Sequence, residues 1–132
     1  MKYLLDTHVL IWALADPNQI PPRCRRLLLD AANHPLGVHS ISLWEIATKV
    51  AGGKLSLDKP IRDWIAAATR PPFVEILPLD AAVAVESAQL PGGFHKDPAD
   101  RMIVATARIH GLILLTKDQL IRDYTHVRTM WE

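Results

Sequence analysis

The chain has 132 residues, of which 49% are hydrophobic and 22% charged, and its formal net charge at pH 7 is +1. This length suits one domain spanning residues 1–132, and the composition excludes a disordered chain. The nearly balanced charge is not that of a generally basic nucleic-acid-binding protein, so a polyanion would have to be recognised by local geometry. No apolar run reaches the roughly 18 residues of a membrane span. We therefore expect a cytoplasmic protein without a membrane segment.

The chain contains a single cysteine, Cys24. This excludes an intramolecular disulfide and a cysteine-rich metal site. Cys24 lies among Arg23, Arg25 and Arg26, the densest basic cluster in the sequence. A packed thiol beneath a solvated basic helix face is the simplest interpretation of this stretch.

The first third of the chain alternates between short apolar runs and amphipathic stretches. Tyr3–Leu5 stops at an acid and is followed by the apolar residues 9–15, a pattern that predicts strand, turn and helix. A second helix is predicted over residues 22–33 and a weak second strand over Leu36–His39. The next helix, capped by Ser40 or Ser42, ends at Gly52-Gly53.

The remaining elements follow the same alternation. A helix over residues 60–69 is followed by a strand over 73–77 near a sheet edge and by an Asp80-capped helix over 81–89. A helix from 98 to about 110 then leads into a buried strand over 112–115. A short helix near 120–121 and a last strand within 126–130 complete the chain. Alternating strands and helices predict an α/β fold with a mostly parallel central sheet and helices on both faces.

Four acids occupy related places in these elements. Asp6 follows the first strand, and Asp118 follows the most buried one. Asp100 lies in the first turn of the helix that leads into that buried strand, and Glu45 lies in the third helix. Each acid could instead have an ordinary structural role. Asp6 and Asp118 could be helix caps or turn residues, and Asp100 could be favoured by the helix dipole. Glu45 could form an i,i+4 pair with Lys49.

Together the four acids support a sharper interpretation. If the first strand and the buried fourth strand are neighbours, the acids converge at one edge of the sheet. Carboxylates in one cleft raise each other's pKa, and a hard divalent cation such as Mg²⁺ or Mn²⁺ relieves that conflict. No histidine and cysteine set has the spacing of a zinc site. Metal-assisted phosphodiester hydrolysis is the natural chemistry of such a site.

Four motifs carry a family resemblance. They are Leu4-Leu5-Asp6-Thr7-His8, the stretch from Ser42 to Lys49, the stretch from His95 to Ala105, and Leu114-Leu115-Thr116-Lys117-Asp118. In order and spacing these motifs resemble those of the PIN-domain nucleases, and in particular the VapC-like toxins of bacterial toxin–antitoxin pairs. The resemblance covers the chain from end to end.

The resemblance implies a three-layer PIN-like fold and an Mg²⁺- or Mn²⁺-dependent endoribonuclease. It implies that Asp6, Glu45, Asp100 and Asp118 form the catalytic and metal-binding site, with Glu45 acting on the attacking water or on a second metal ion. It also implies an RNA substrate, a homodimer and a cognate antitoxin whose apolar segment would lie in a groove near the early helices.

Residues beside the motifs are candidates for supporting roles. Asp97, Thr116 and Thr7 could form a second shell around the metal, although Asp97 before Pro98 is mainly read as a helix cap. RNA phosphates could be contacted by Lys49, Lys96, Arg101 and Lys117. We expect Trp12, Trp44 and Trp64 to pack in the protein rather than stack on bases.

Two other functions stay open at this point. A metal-dependent phosphohydrolase could use Asp6 as its nucleophile, but it would typically carry a second acid two residues later, where this chain has His8. A catalytically silent PIN-like module could bind RNA or protein without cutting.

Overall fold

The computed structural model describes all residues from 1 to 132 and contains five strands and seven α-helices. The strands are β1 (Tyr3–Leu5), β2 (Leu36–His39), β3 (Val74–Leu77), β4 (Ile113–Leu115) and β5 (Thr129–Met130). The helices are α1 (Thr7–Ala15), α2 (Pro22–Leu29), α3 (Ser40–Ala51), α4 (Ile61–Ala68), α5 (Ala81–Ala88), α6 (Pro98–His110) and α7 (Gln119–Arg122). Short 3₁₀ turns cover Pro17–Gln19 and Ala31–Asn33.

All five strands belong to one parallel sheet in the order β3-β2-β1-β4-β5. Leu5 pairs with Val38 of β2 on one side and with Leu115 of β4 on the other. The predicted neighbourhood of β1 and β4 is therefore confirmed, as is the position of β3 at an edge. Because the strands are parallel and in register, the residues that follow them meet at one edge of the sheet.

The two faces of the sheet carry separate cores, as the alternation of side chains along a strand requires. Leu5 and Leu115 belong to a core with buried residues of α1, α2, α3 and α4. Their neighbours Leu4 and Leu114 belong to a second core with buried residues of α5, α6 and α7. The predicted α/β fold with helices on both faces is confirmed.

The structure corrects two predicted boundaries. The helix predicted over residues 22–33 stops at Leu29, because the Asp30 side chain accepts a hydrogen bond from the Ala32 backbone N–H and starts a 3₁₀ turn. Neither Ser40 nor Ser42 caps α3. His39 does so, with Nδ1 accepting from the Ile41 N–H at 2.9 Å.

The predictions for single side chains are partly confirmed. Cys24 is fully buried and its thiol donates to the Glu132 carbonyl, as expected of a packed cysteine. Trp64 is also buried, but the expectation that Trp44 packs is wrong, because this side chain is 62% exposed. Gly111 ends α6 with φ at +64°, a conformation that favours glycine. None of the helices combines the length and the apolar character needed to cross a bilayer.

Candidate active site

The first part of the site joins the ends of β1 and β4. Asp6 is 4% exposed, and its Oδ2 accepts a hydrogen bond from the Thr116 hydroxyl at 2.7 Å. The same hydroxyl oxygen accepts from the Asp118 backbone N–H at 3.0 Å. Thr116 therefore fixes Asp6 relative to Asp118, whose own carboxylate caps α7 by accepting from the Leu120 N–H. Thr116 had been predicted to lie beside these acids, and the structure gives it this bridging position.

The second part connects α1 to α3. The Thr7 hydroxyl donates to Oε1 of Glu45 at 2.5 Å and lies 2.8 Å from the buried Ser42 hydroxyl. Glu45 is thus held by Thr7 rather than by the i,i+4 partner that its position on the helix suggested. Burial is the main reason that the pKa of Glu45 is raised; the nearby Asp6 carboxylate adds to the rise, and the Thr7 hydrogen bond opposes it.

The third part is the start of α6. Asp97 caps this helix, its Oδ1 accepting from the Asp100 N–H at 2.9 Å. The Asp100 side chain points back toward His95, whose Nε2 lies 3.2 Å from Oδ2 of Asp100 in a direction that does not make a hydrogen bond. Asp97 is exposed and has a helix-capping role, whereas Asp100 is half-buried in the first turn of α6.

The pKa of Asp100 is shifted by burial and by the other acids. Burial raises the pKa of Asp100 to about 7, and the negative charges of Asp6, Asp97, Asp118 and Glu45 contribute to the rise. The geometry brings Asp6 and Asp118 together where the neighbouring strands β1 and β4 end. The convergence of Glu45 and Asp100 with them on one site stays a prediction.

The acids do not form a finished coordination cage. No three histidine, cysteine, aspartate or glutamate side chains lie near enough to one another to enclose a metal ion. Asp6, Glu45 and Asp118 instead hold hydrogen bonds from the protein itself. The donor chemistry nevertheless fits Mg²⁺ or Mn²⁺, which prefer hard oxygen ligands; Mg²⁺ commonly takes only one or two carboxylates directly and keeps several waters.

One residue of the site had no assigned role in the sequence. His8 Nε2 accepts a hydrogen bond from the Lys117 backbone N–H at 2.9 Å, so in the neutral ring the proton is on Nδ1, 3.6 Å from Oδ2 of Asp6. Burial lowers the pKa of His8, although Asp6 and Asp118 oppose that shift. The ring packs against Trp12 and Trp131. The only sequence signal was a histidine two positions after the first acid.

The four basic residues considered for RNA contact differ in their surroundings. Lys49, Lys96 and Lys117 are exposed beside the motifs, and Lys117 Nζ lies 5.6 Å from the centre of the Trp12 ring. Arg101 is different, because its guanidinium donates to the backbone carbonyls of Ser87, Phe94 and His95. Those bonds tie the loop before α6 to α5 and give Arg101 a structural role, while its contact with RNA stays a prediction.

The comparisons with known proteins agree with this architecture. Residues 3–127 match the model of the PIN domain, and the chain belongs to that family. Within it, the chain is similar to ribonuclease VapC22 of Mycobacterium tuberculosis, with 34% identity over 130 residues and 97% of each chain covered.

Two solved structures share the fold. VapBC2 from Rickettsia felis, bound to a DNA fragment from its promoter, has a TM-score of 0.74 at 18% identity, with all of both chains covered. DNA-bound VapBC from Salmonella typhimurium has a TM-score of 0.70 at 23% identity, covering 98% of this chain and 97% of that one. The resemblance inferred from the four motifs is confirmed.

Proposed function

We propose that this chain is an endoribonuclease that hydrolyses RNA phosphodiester bonds with the help of Mg²⁺ or Mn²⁺, and that it is the toxin of a toxin–antitoxin pair. The observation that carries the proposal is the buried Asp6, joined through Thr116 to Asp118 where β1 and β4 end, in a chain 34% identical to a ribonuclease. Asp6, Asp100 and Asp118 would hold the metal ion, directly or through water. When bound, that ion supplies positive charge that polarises the phosphate and stabilises the developing negative charge.

The protein's own residues supply the remaining steps. Glu45, with a raised pKa and one oxygen held by Thr7, is placed to orient the attacking water and take its proton. Thr116 keeps the Asp6 carboxylate in one orientation. Lys49, Lys96 and Lys117 bind RNA phosphates around the acidic centre.

The test is cleavage of structured and unstructured RNAs by purified protein, with Mg²⁺ or Mn²⁺ and then with a chelator. Asp6→Asn should lower the rate at least about a hundredfold, since several kcal/mol of charge stabilisation are lost. Asp58→Asn, which changes an exposed acid outside the site, is the matched control and should cleave like the wild type. Cleavage that survives chelation, or that is equal in both variants, would rule the proposal out. Metal binding without cleavage would favour the silent module, and hydrolysis of small phosphate esters alone would favour the phosphohydrolase.

We further propose that a cognate antitoxin places an apolar segment in a groove between α1, α2 and α4. Twelve of the fourteen residues that line this groove of about 310 Å³ are hydrophobic, and among them Leu29 and Phe73 are 83% and 51% exposed. The two solved structures cited above are VapBC complexes, and this supports an antitoxin partner. Leu29→Glu should weaken antitoxin binding and leave RNA cleavage unchanged; unchanged antitoxin affinity would place that surface elsewhere. The homodimer also stays a proposal, to be tested by sedimentation.

A further inference from the structure

Trp44 differs from the other three tryptophans of the chain. Trp64 is buried in the core, and Trp12 and Trp131 pack against each other and against His8. The Trp44 side chain is 62% exposed, although a large aromatic surface in water is unfavourable and exposed apolar patches often mark binding sites.

The surroundings of Trp44 connect it to the acidic site. It lines an open groove of about 510 Å³ between α3 and the start of α6, together with Ile41, Pro98 and Ala99. Glu45 and Asp97 complete the lining of the same groove. Trp44 and Glu45 are consecutive residues of α3, and both line this groove, so the indole ring borders the same cleft as a carboxylate of the proposed site.

The charges of this groove favour a nucleic acid over a protein as its occupant. A protein that covered the groove would remove Glu45 and Asp97 from water beside Asp100, and burying unpaired carboxylates is costly. Lys49 lies one turn beyond Glu45 on α3, Lys96 lies beside Asp97, and both are exposed. A nucleic acid suits both the exposed lysines and the exposed indole, because its phosphates pair with the lysines while a base covers the ring.

We propose that Trp44 is a stacking platform for an unpaired RNA base next to the cleaved phosphodiester bond, an inference that rests on the proposed ribonuclease function. A base inside a duplex is already stacked on both faces and cannot cover the indole. Trp44 therefore selects RNA that presents at least one unpaired nucleotide beside the cleavage point.

The experiment measures RNA binding without cleavage, in the Asp6→Asn background. A labelled single-stranded oligoadenylate of about 12 nucleotides and its duplex with oligouridylate are the two probes, since stacking tolerates any base. Adding Trp44→Ala should weaken single-strand binding by about fivefold to 150-fold and leave duplex binding unchanged. Trp44→Phe should restore most of the affinity, because it keeps an aromatic face. Val85→Ala is the control, an exposed apolar residue on α5 that lines neither this groove nor the one proposed for the antitoxin, and it should leave the affinity for both probes unchanged.

Sedimentation of each variant is measured in parallel, so that a protein interface is recognised. Equal single-strand affinity with and without Trp44 would overturn the inference. It would also fail if Trp44→Ala converted a dimer to a monomer, with or without a loss of RNA affinity, since Trp44 would then belong to a subunit interface. Wild-type cleavage separates this failure from that of the parent proposal. If the wild type cuts RNA while the Trp44 variants bind like their parent, only the stacking role is lost; if it neither cuts nor binds RNA, both are lost.

Discussion

Replacing Asp100 by asparagine should stabilise the metal-free protein, even though it should damage the active site. The pKa of Asp100 is raised from 3.8 to about 7 by burial and by the four neighbouring acids. In the unfolded chain the carboxyl loses its proton near pH 4, whereas in the folded protein it keeps that proton until about pH 7. Asp100 therefore does not destabilise the folded state below pH 4, and its destabilising effect is fully present above pH 7. The asparagine amide carries no charge at any pH, so the substitution removes this destabilisation.

The size of the effect follows from the shift. About three pKa units at 1.36 kcal/mol each give a ceiling of roughly 4 kcal/mol above pH 7. The Asp100 side chain is 19% exposed and shares its shift with coupled acids, so we take about half, or roughly 2 kcal/mol at pH 8 and under 1 kcal/mol at pH 5. For 132 residues, at about 2.1 cal/mol/K each, this is a rise in Tm of roughly 7 °C at pH 8 and 2–3 °C at pH 5.

The assay is thermal unfolding in the presence of a chelator at both pH values, with Asp58→Asn as the control for an exposed acid. Adding Mg²⁺ should then raise the Tm of the wild type more than that of Asp100→Asn, because the variant has lost a ligand. An equal fall in Tm at both pH values would refute the reasoning. Asp100 would then be an ordinary acid in the first turn of a helix, where the helix dipole favours its charge by about 0.3–1 kcal/mol.

Three further substitutions test local features. Thr116→Val should lower the free energy of unfolding by about 1–3 kcal/mol in urea titrations, because it removes the hydrogen bonds to Asp6 and Asp118. Thr116→Ser keeps the hydroxyl and should retain most of that stability; equal losses in the two variants would contradict the bridging role. Arg101→Lys should cost about 1.5–3 kcal/mol through the lost carbonyl contacts without changing RNA affinity, and a selective loss of RNA binding would show that Arg101 meets RNA after all. Gly111→Ala should cost about 1–2 kcal/mol because of its positive φ, and Gly111→Asn less; identical costs would point to another cause.

The placement of the acids could be predicted because it depends on local signals. Asp6 and Asp118 end two apolar runs, and a parallel pairing of those runs brings both to one edge. The start of α6 was equally readable, because aspartate before proline is a standard helix beginning, and Asp97 does cap it.

The contacts that orient those acids could not be predicted, because they join residues far apart in the chain. The Thr116 bond to Asp6 spans 110 positions, and the Thr7 bond to Glu45 spans 38. The exposure of Trp44 was missed for a similar reason: its helix is apolar on several sides, and the packing of α1, α4 and α6 against α3 decides which sides are covered. The break of the helix at Asp30 shows that one capping carboxylate can override a continuous helical pattern.

The shortness of β1 has a consequence for how the protein can change. Its two buried leucines supply opposite cores, since Leu4 faces one layer of helices and Leu5 the other. Inserting or deleting a single residue within β1 would exchange these faces and also move Asp6 along the strand axis by about 3.3 Å. The length of the segment before Asp6 is thus constrained twice, by hydrophobic packing and by the geometry of the acids. Variation during evolution or in engineering is more easily absorbed in the loops at the other edge of the sheet.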